Sequence, residues 1–211
     1  MNLNDFYSEN FNLNKSELAL NKCFTGNDKA VFLDRDGVLI EDVNYIDCNS
    51  KVIICKNVIS FLKEAIKNKF DLVIVTNQSS IPRGIISYKE YLSITECFLN
   101  KLEEEIFPHF ILASFHLPHN SNGLDDFDWR KPGSGMFKYI INKRKYDVSK
   151  CYMFGDKLTD LIPAYECKIP KLFFIQSNLH KDEKDKIKKW NKMNFNSIII
   201  NKELDKDLFY N

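Results

Sequence analysis

From residue 29 onward, short apolar runs alternate with segments in which apolar residues recur at helical spacing. The apolar runs predict β-strands at 30–33, 72–75, 110–115, 152–154, 172–175 and 197–200. Residues at i, i+3, i+4 and i+7 predict helices at 58–66, 136–144 and 182–192, and a capping box at 87–90 opens a longer helix toward residue 107. Strands that alternate with helices predict an α/β fold: a doubly wound, Rossmann-like parallel sheet with helices on both faces.

Residues 1–28 do not share this pattern. They are rich in asparagine and weakly patterned, and we interpret them as an N-terminal extension that packs on the domain or is partly mobile. Within this extension, the segment 16–23 predicts a short helix. Residues 29–211 are predicted to form one domain, because a chain of 211 residues can bury a sizeable core in a single unit.

The composition is that of an ordinary globular protein, with 44% apolar and 28% charged residues. No apolar run approaches the ~20 residues of a spanning helix, and the N-terminus lacks the features of a secretory signal. The six cysteines form no CxxC or CxH pair, which argues against a zinc site or a disulfide framework. We therefore expect a cytoplasmic protein without a membrane partner. The net charge of +1 gives no electrostatic reason to expect nucleic acid, and we expect a monomer.

The first predicted strand ends in a pair of acids. Asp34 and Asp36 follow the apolar run at 30–33 and precede Gly37. Positions i and i+2 of a strand share a face, so the two carboxylates repel each other unless a cation or a shared proton relieves them. Such a strand end indicates a functional site. Taken alone, this stretch is explained equally well as a solvated strand end before a turn.

Polar residues also adjoin the other predicted elements. Ligands of parallel sheets bind beyond the carboxyl ends of the strands, so these residues are expected to share one crevice. They are Thr76, Asn77, Gln78 and Ser79 after the second strand, Arg130 and Lys131 before a helix, and Gly155, Asp156, Lys157 and Asp160 after the fourth strand. Taken singly, Thr76 is typical of a strand-end cap, the basic pair of a solvated loop, and the two acids of a helix start. Their joint occurrence at each expected place favours a site.

In chain order these motifs read Asp-x-Asp-Gly, Thr-Asn-Gln-Ser, Arg-Lys-Pro and Gly-Asp-Lys-x-x-Asp. The chain resembles the haloacid dehalogenase (HAD) superfamily, subfamily IIIA, and within it the D-glycero-D-manno-heptose-1,7-bisphosphate phosphatases and the histidinol-phosphate phosphatases. The motifs lie at 34–40, at 75–79 with Arg83 and Gly84, at 130–132 with Gly135 and Met136, and at 155–160. The resemblance covers about residues 29–176 and implies a HAD-like fold.

The resemblance implies a phosphoric monoester hydrolase that forms an aspartyl-phosphate. Asp34 would attack phosphorus, while Asp36 would protonate the leaving oxygen and later accept a proton from water. Thr76 and Lys131 would contact phosphoryl oxygens. The implied cofactor is Mg²⁺, held by the side chains of Asp34 and Asp156 and by the backbone carbonyl of Asp36.

The substrate implied by the resemblance is a small sugar phosphate. Its contacts would come from Asp42, Val43, Asn44, Tyr45, Asn77, Gln78, Ser79, Arg130 and Lys157. Arg130, a planar bidentate donor, suits a second phosphate. The sequence shows no helical cap domain between residues 37 and 58 or between 78 and 110. An open pocket of this kind favours a substrate that supplies its own binding energy, such as a bisphosphate.

One part of the family pattern is missing. The heptose enzymes usually hold a structural zinc before Arg-Lys-Pro through a Cys-x-His pair and a Cys-x-Cys pair. The corresponding positions here are Leu117, His119, Phe127 and Trp129. One imidazole cannot complete a tetrahedral zinc site, so we expect no structural zinc, with Phe127 and Trp129 packing in its place. This change leaves the exact sugar open.

The leading prediction is a Mg²⁺-dependent phosphatase that acts on D-glycero-D-manno-heptose 1,7-bisphosphate or a similar sugar bisphosphate. Histidinol-phosphate phosphatase and polynucleotide 3′-phosphatase are the enzymatic alternatives, and the near-neutral charge disfavours the second. The alternative from another class is a phospho-acceptor domain of the receiver type. A domain that keeps its phosphoryl group has no use for an acid–base residue at position 36.

Overall fold

The computed structural model describes residues 15–20, 26–103, 105–117, 129–194 and 197–210, and within them seven strands form one sheet. The strands are β1 (Lys15–Ala19), β2 (Ala30–Leu33), β3 (Asp71–Asn77), β4 (Phe110–Ser114), β5 (Tyr152–Gly155), β6 (Lys171–Ile175) and β7 (Ile198–Asn201). Their order is β1-β4-β3-β2-β5-β6-β7, and every neighbouring pair is parallel except β1 with β4. The predicted parallel sheet is confirmed, with one antiparallel strand added at an edge.

Helices cover both faces of the sheet. They are α1 (Val58–Lys67), α2 (Tyr88–Asn100), α3 (Gly135–Arg144), α4 (Leu158–Glu166) and α5 (Glu183–Met193). Alternate residues of the buried strands face opposite layers, as the period of two in a strand requires. Leu72 and Ile74 of β3 join the core that contains α1 and α2, whereas Val73 and Val75 join the core of α3, α4 and α5. The fold is therefore the predicted doubly wound α/β arrangement.

The helix predicted at 16–23 is wrong, because Lys15–Ala19 forms β1 and pairs antiparallel with β4. Tertiary contacts outweigh the weak local preference of this segment. Leu18 is buried in the core, and Glu17 accepts hydrogen bonds from Tyr139 and Lys143 of α3, each at 2.6 Å. Residues 21–23 lie outside the described residues. The division between an extension over 1–28 and a domain from 29 stays a prediction.

Helix α2 begins as predicted but ends earlier. The side chain of Ser87 accepts the backbone N–H of Glu90, and the Glu90 side chain accepts the N–H of Ser87, which completes the capping box. The helix ends at Asn100 rather than near residue 107. Leu102 and Ile106 are buried in the same core as the helix, so helical apolar spacing continues where the backbone is no longer helical.

The carboxyl ends of β2, β3, β4, β5 and β6 lie on one side of the sheet, and the predicted motifs lie at or after the ends of the first four of these strands. The connection from β2 to α1 contains a 3₁₀ turn at Asn49–Lys51, and the connection from β3 to β4 contains α2. In the described parts of these connections we find no separate cap domain. Among the described helices, none has the length and apolar character needed to cross a membrane.

Candidate active site

Loops from five places in the chain enclose a cavity of about 420 Å³ at this edge of the sheet. The predicted site residues that line it are Asp34, Asp36, Asp42, Asn44, Tyr45, Thr76, Asn77, Gln78, Ser79, Arg130, Lys131 and Lys157. Val43 is not among the lining residues, and it is 38% exposed. The structure thus brings together residues separated by more than a hundred positions in sequence. Their roles in binding and catalysis stay predictions.

Asp34 lies directly beyond β2 and forms a buried ion pair with Lys131. The Lys131 Nζ atom is 2.6 Å from Asp34 Oδ1 and 2.8 Å from Asp160 Oδ1, and it also donates to the carbonyl oxygen of Val75 at 2.8 Å. Burial opposes the charged form of Lys131, but Asp160 and Asp34 outweigh burial and raise its pKa. Lys131 is therefore a buried cation beside the first acid of the motif.

Asp36 is held from two sides. Its carboxylate accepts two donors of Arg35, with Nη2 at 3.0 Å from Oδ2, and its Oδ2 also accepts Gln78 Nε2 at 2.8 Å. The same Gln78 nitrogen donates to Thr76 Oγ1 at 2.9 Å. The Asp36 side chain is 21% exposed whereas Arg35 is buried, so Asp36 faces the cavity with its orientation fixed from behind.

The loop that carries Lys131 is fixed to β3 by Asn77. The Asn77 side-chain amide donates to the Lys131 carbonyl at 2.9 Å and accepts the Lys131 N–H at 3.0 Å. Arg130 donates to the His116 carbonyl at 3.0 Å. The Thr-Asn-Gln-Ser motif therefore positions the Arg-Lys-Pro motif through a reciprocal pair of hydrogen bonds, a contact that chain order alone does not reveal.

Asp156 lies beneath the cavity and is fully buried. Both of its carboxylate oxygens lack a hydrogen-bond partner among the described residues. A Cβ atom at Gly37, which has a φ of +93°, would lie only 2.2 Å from Asp156 Oδ2, so glycine is needed where the first motif crosses this carboxylate. Lys157 Nζ lies 3.8 Å from Asp156 Oδ1, too far for a hydrogen bond. A buried carboxylate that accepts no hydrogen bond is costly and is suited to binding a cation.

Three buried acids converge at this place. One carboxylate oxygen from each of Asp34, Asp156 and Asp160 lies within 4.8 Å of the others. Burial, reinforced by Asp160, raises the pKa of Asp156 to about 9. Burial likewise raises the pKa of Asp34 to about 6, although Lys131 opposes the shift. The all-oxygen donor set fits a hard divalent cation such as Mg²⁺.

Sequence reasoning placed Asp160 near the site but gave it no role, and it did not single out Arg35 or His180. Arg35 holds Asp36, and Asp160 accepts Lys131 while its Oδ2 accepts the Lys157 N–H at 3.0 Å. His180 lines the cavity from the loop after β6. The rule that polar residues beyond parallel strands form the site could have found His180, because β6 ends at Ile175.

The segment in which the resemblance implies a zinc site is only partly described. His119 and Phe127 lie outside the described residues. Leu117 is half-buried, and Trp129 is buried and donates from Nε1 to the Ala113 carbonyl at 2.9 Å. Trp129 also packs edge-on against Tyr139, with ring centroids 5.4 Å apart. Trp129 is therefore packed as predicted, whereas its packing in place of a zinc ion and the role of Phe127 stay predictions.

Comparison with known proteins gives consistent matches. The model of the polynucleotide kinase 3 phosphatase family matches residues 29–188. A D-glycero-alpha-D-manno-heptose-1,7-bisphosphate 7-phosphatase of Photorhabdus laumondii is 32% identical over 71% of this chain and 83% of its own length. A D-glycero-beta-D-manno-heptose-1,7-bisphosphate 7-phosphatase of Haemophilus influenzae is 37% identical over 67% of this chain and 78% of its own.

A solved structure has the same fold. It is the D,D-heptose 1,7-bisphosphate phosphatase of B. bronchiseptica in complex with magnesium and phosphate, with a TM-score of 0.65 and 22% identity over 75% of this chain and 86% of that one. The family match spans more than half of the chain and contains all four motifs. The chain belongs to the polynucleotide kinase 3 phosphatase family and is a phosphoric monoester hydrolase with a HAD-like fold.

Proposed function

We propose that this protein is a Mg²⁺-dependent phosphatase that removes one phosphate from D-glycero-D-manno-heptose 1,7-bisphosphate or a similar sugar bisphosphate. The observation that carries the proposal is the placement of Asp34. Its carboxylate lies at the end of β2, next to the cation of Lys131, in the wall of an open cavity. The names of the relatives support the heptose, and these relatives include enzymes for both anomers, so the anomer stays open.

In the proposed reaction, an Asp34 oxygen attacks phosphorus and the bond from phosphorus to the sugar oxygen breaks. Asp36 gives its proton to the departing sugar oxygen. Asp36 then takes a proton from a water molecule that attacks phosphorus, which releases inorganic phosphate and restores Asp34. The support from geometry is that Asp36 faces the cavity while Arg35 and Gln78 hold its carboxylate.

Positive charge and donors around the phosphoryl group supply the remaining stabilisation. Lys131 would place its charge on a phosphoryl oxygen, and Thr76 would donate its hydroxyl proton to another. Thr76 is buried at the end of β3, and its Oγ1 accepts Gln78 Nε2 at 2.9 Å and donates to Asp36 Oδ2 at 3.5 Å. Rotation of the hydroxyl away from this long contact would direct its proton to the phosphoryl group. Gln78 therefore acts as a positioning residue for both Thr76 and Asp36.

The cofactor proposed for this site is Mg²⁺. Asp34 and Asp156 would hold it through their side chains, the Asp36 carbonyl would add a backbone ligand, and Asp160 is close enough to contribute. When bound, the ion would neutralise the carboxylate and phosphate charges that otherwise repel each other. The unpartnered oxygens of Asp156 are the observation that supports this assignment.

The remaining substrate contacts are proposed for Asp42, Asn44, Tyr45, Asn77, Ser79, Arg130 and Lys157, all of which line the cavity. Val43 is a weaker candidate because its side chain does not line the cavity. A monomeric, cytoplasmic protein without a nucleic acid partner also stays our prediction.

Phosphate release from a panel of substrates tests the proposal. The panel contains both anomers of heptose 1,7-bisphosphate, histidinol phosphate and a 3′-phosphorylated oligonucleotide, each with Mg²⁺. We expect kcat/KM for one heptose anomer to exceed the values for the other two classes at least about tenfold. If kcat/KM for the oligonucleotide or for histidinol phosphate equals or exceeds the value for the better heptose anomer, the proposed substrate is wrong.

Two variants test the chemistry. We expect Asp34→Asn to abolish turnover while the protein stays folded, because the amide cannot act as the nucleophile. Asp36→Asn is expected to slow both formation and hydrolysis of the phosphoenzyme by about 10²–10⁴-fold, the usual contribution of general acid–base catalysis. Pre-steady-state mass measurement of the intact protein separates the two steps. Turnover by Asp34→Asn at the parent rate would refute the mechanism.

A further inference from the structure

A histidine outside the family motifs lies in the wall of the cavity. His180 belongs to the loop between β6 and α5, and it lines the cavity together with Asp42 and Lys157. Its Nε2 atom lies 2.9 Å from Asp42 Oδ2, and its side chain is 27% exposed. His180 is therefore accessible from the cavity and is tied to one of the predicted substrate-binding residues.

Asp42 is the centre of this group. Its Oδ2 also lies 3.3 Å from Lys157 Nζ, and its Oδ1 accepts the backbone N–H of Asn44 at 2.9 Å. Burial alone would raise the pKa of Asp42, but the Lys157 charge and the His180 hydrogen bond outweigh burial and lower it. Asp42 is an anion, so His180 donates to it from Nε2. The other ring nitrogen, Nδ1, has no hydrogen-bond partner among the described residues.

We call Asp42, Lys157 and His180 the Asp42 cluster. Its members follow β2, β5 and β6, so three loops must be in place before the cluster forms. It offers a carboxylate acceptor, an ammonium donor and, within the described part of the chain, a free imidazole nitrogen at one wall of the cavity. Hydroxyl groups both donate and accept, and they match this mixture. A phosphate group matches it poorly, because its charge repels the Asp42 carboxylate.

We propose that His180 is a specificity-determining residue, which together with Asp42 and Lys157 forms a subsite for the hydroxyl groups of a polyhydroxylated phosphate ester. The His180 donor fixes the Asp42 carboxylate, and Nδ1 forms a hydrogen bond with a substrate hydroxyl, which can donate or accept. This inference rests on the proposed function, since it concerns the sugar part of the same substrate. If the inference is correct, His180, which lies outside the four motifs, lets the enzyme distinguish sugar phosphates from phosphate esters without hydroxyl groups.

The test compares a substrate rich in hydroxyl groups with one that has none. kcat and KM are measured for heptose 1,7-bisphosphate and for 4-nitrophenyl phosphate, with Mg²⁺, in the parent protein and in His180→Ala, His180→Gln and Lys181→Ala. Lys181 is the exposed neighbour in the same loop and serves as the matched control. The quantity compared is the ratio of kcat/KM for the sugar to kcat/KM for the phenyl ester. Thermal unfolding of each variant shows that it is folded.

We expect His180→Ala to lower this ratio about threefold to tenfold, mainly through a higher KM for the sugar, as for the loss of one hydrogen bond. His180→Gln keeps a donor toward Asp42 and should recover part of the ratio, and Lys181→Ala should leave it unchanged. An unchanged ratio in His180→Ala, or an equal loss with both substrates, would overturn the inference. If the parent protein itself does not prefer the sugar phosphate to the phenyl ester, the proposed function is overturned. The results with the variants do not bear on that outcome.

Discussion

The Nζ atom of Lys131 lies 2.6 Å from Oδ1 of Asp34, and both side chains are almost fully removed from solvent. The same ammonium group lies 2.8 Å from Asp160. One buried cation thus serves two buried anions, and the contact orients the proposed nucleophile before any substrate binds. Because breaking a buried ion pair leaves an uncompensated charge, we expect the loss of this lysine to destabilise the fold as well as to remove its proposed contact with the phosphoryl group.

Lys131→Met approximately preserves the length and volume of the side chain but removes its charge. We expect this substitution to lower both activity and stability. Activity should fall by about 10²–10³-fold, the usual effect of removing one stabilising group from a transition state. The free energy of unfolding should fall by about 3–5 kcal/mol, because Asp34 and Asp160 lose their buried partner. Steady-state kinetics and urea denaturation measure the two effects.

The control for Lys131→Met is Lys138→Met, which changes an exposed lysine of α3. The control should change the free energy of unfolding by no more than about 0.5 kcal/mol. If Lys131→Met were as stable and as active as Lys138→Met, the buried ion pair would have no energetic or catalytic role.

Removal of the Asp156 carboxylate should separate metal binding from folding. Asp156→Asn replaces a buried carboxylate, whose oxygens accept no hydrogen bond from the described residues, with a neutral amide. Burying a neutral group costs less than burying a charge, so the metal-free variant is expected to be at least as stable as the metal-free parent. Saturating Mg²⁺ should raise the Tm of the parent by about 2–8 °C. The variant should show no such rise, and calorimetric unfolding with EDTA or with Mg²⁺ makes the comparison. An equal rise in both proteins would place the ion elsewhere.

Much of the fold follows from the apolar pattern. Strands β2 to β7 were predicted because each is a short apolar run, and α1, α3 and α5 because their buried residues recur at helical spacing. Strand β1 could not be predicted, because its pairing with β4 joins residues about a hundred positions apart. The early end of α2 was missed for a related reason, since Leu102 and Ile106 keep helical spacing outside a helix.

The site divides in a similar way. Asp34, Thr76 and Lys157 could be placed at one cavity because each lies at or just beyond the carboxyl end of a parallel strand, and Lys131 because it precedes a predicted helix. The contacts among them could not be predicted. The two hydrogen bonds between Asn77 and the Lys131 backbone depend on the path of a loop, which local sequence does not determine. The position of His180 depends on the loop after β6, which carries no family motif.

The N-terminal strand offers a direct test of whether residues before 29 stabilise the domain. Leu18 is 2% exposed and belongs to the core of α1 and α2. We expect Leu18→Ala to lower the free energy of unfolding by about 2–4 kcal/mol through the lost burial and the cavity left behind. Urea denaturation followed by circular dichroism measures this change. A loss below about 0.5 kcal/mol would show that β1 is detached from the core in solution.

The last prediction concerns acid stability at the opposite end of the sheet from the cavity. His109 is buried, and its Nδ1 accepts the backbone N–H of Leu72 at 3.0 Å. Its Nε2 lies 3.4 Å from Oδ1 of the fully buried Asp71. Burial, assisted by the charge of Arg144, lowers the pKa of His109 below its usual value of 6.5, although Asp71 opposes the shift. The folded protein therefore holds this imidazole neutral at pH 7.

The lowered pKa gives stability a definite pH dependence. As the pH falls through 6.5, the unfolded chain takes up a proton at this histidine before the folded protein does, so the free energy of unfolding decreases. His109→Asn keeps an acceptor for the Leu72 N–H but cannot titrate, so its free energy of unfolding should decrease less than that of the parent between pH 7.5 and pH 5.5. Urea denaturation at both pH values, with EDTA present, measures the decrease in each protein. The buried acids titrate in both proteins, so their contribution cancels in the comparison. If the two proteins lose the same stability, the neutral His109 is not a source of the acid sensitivity.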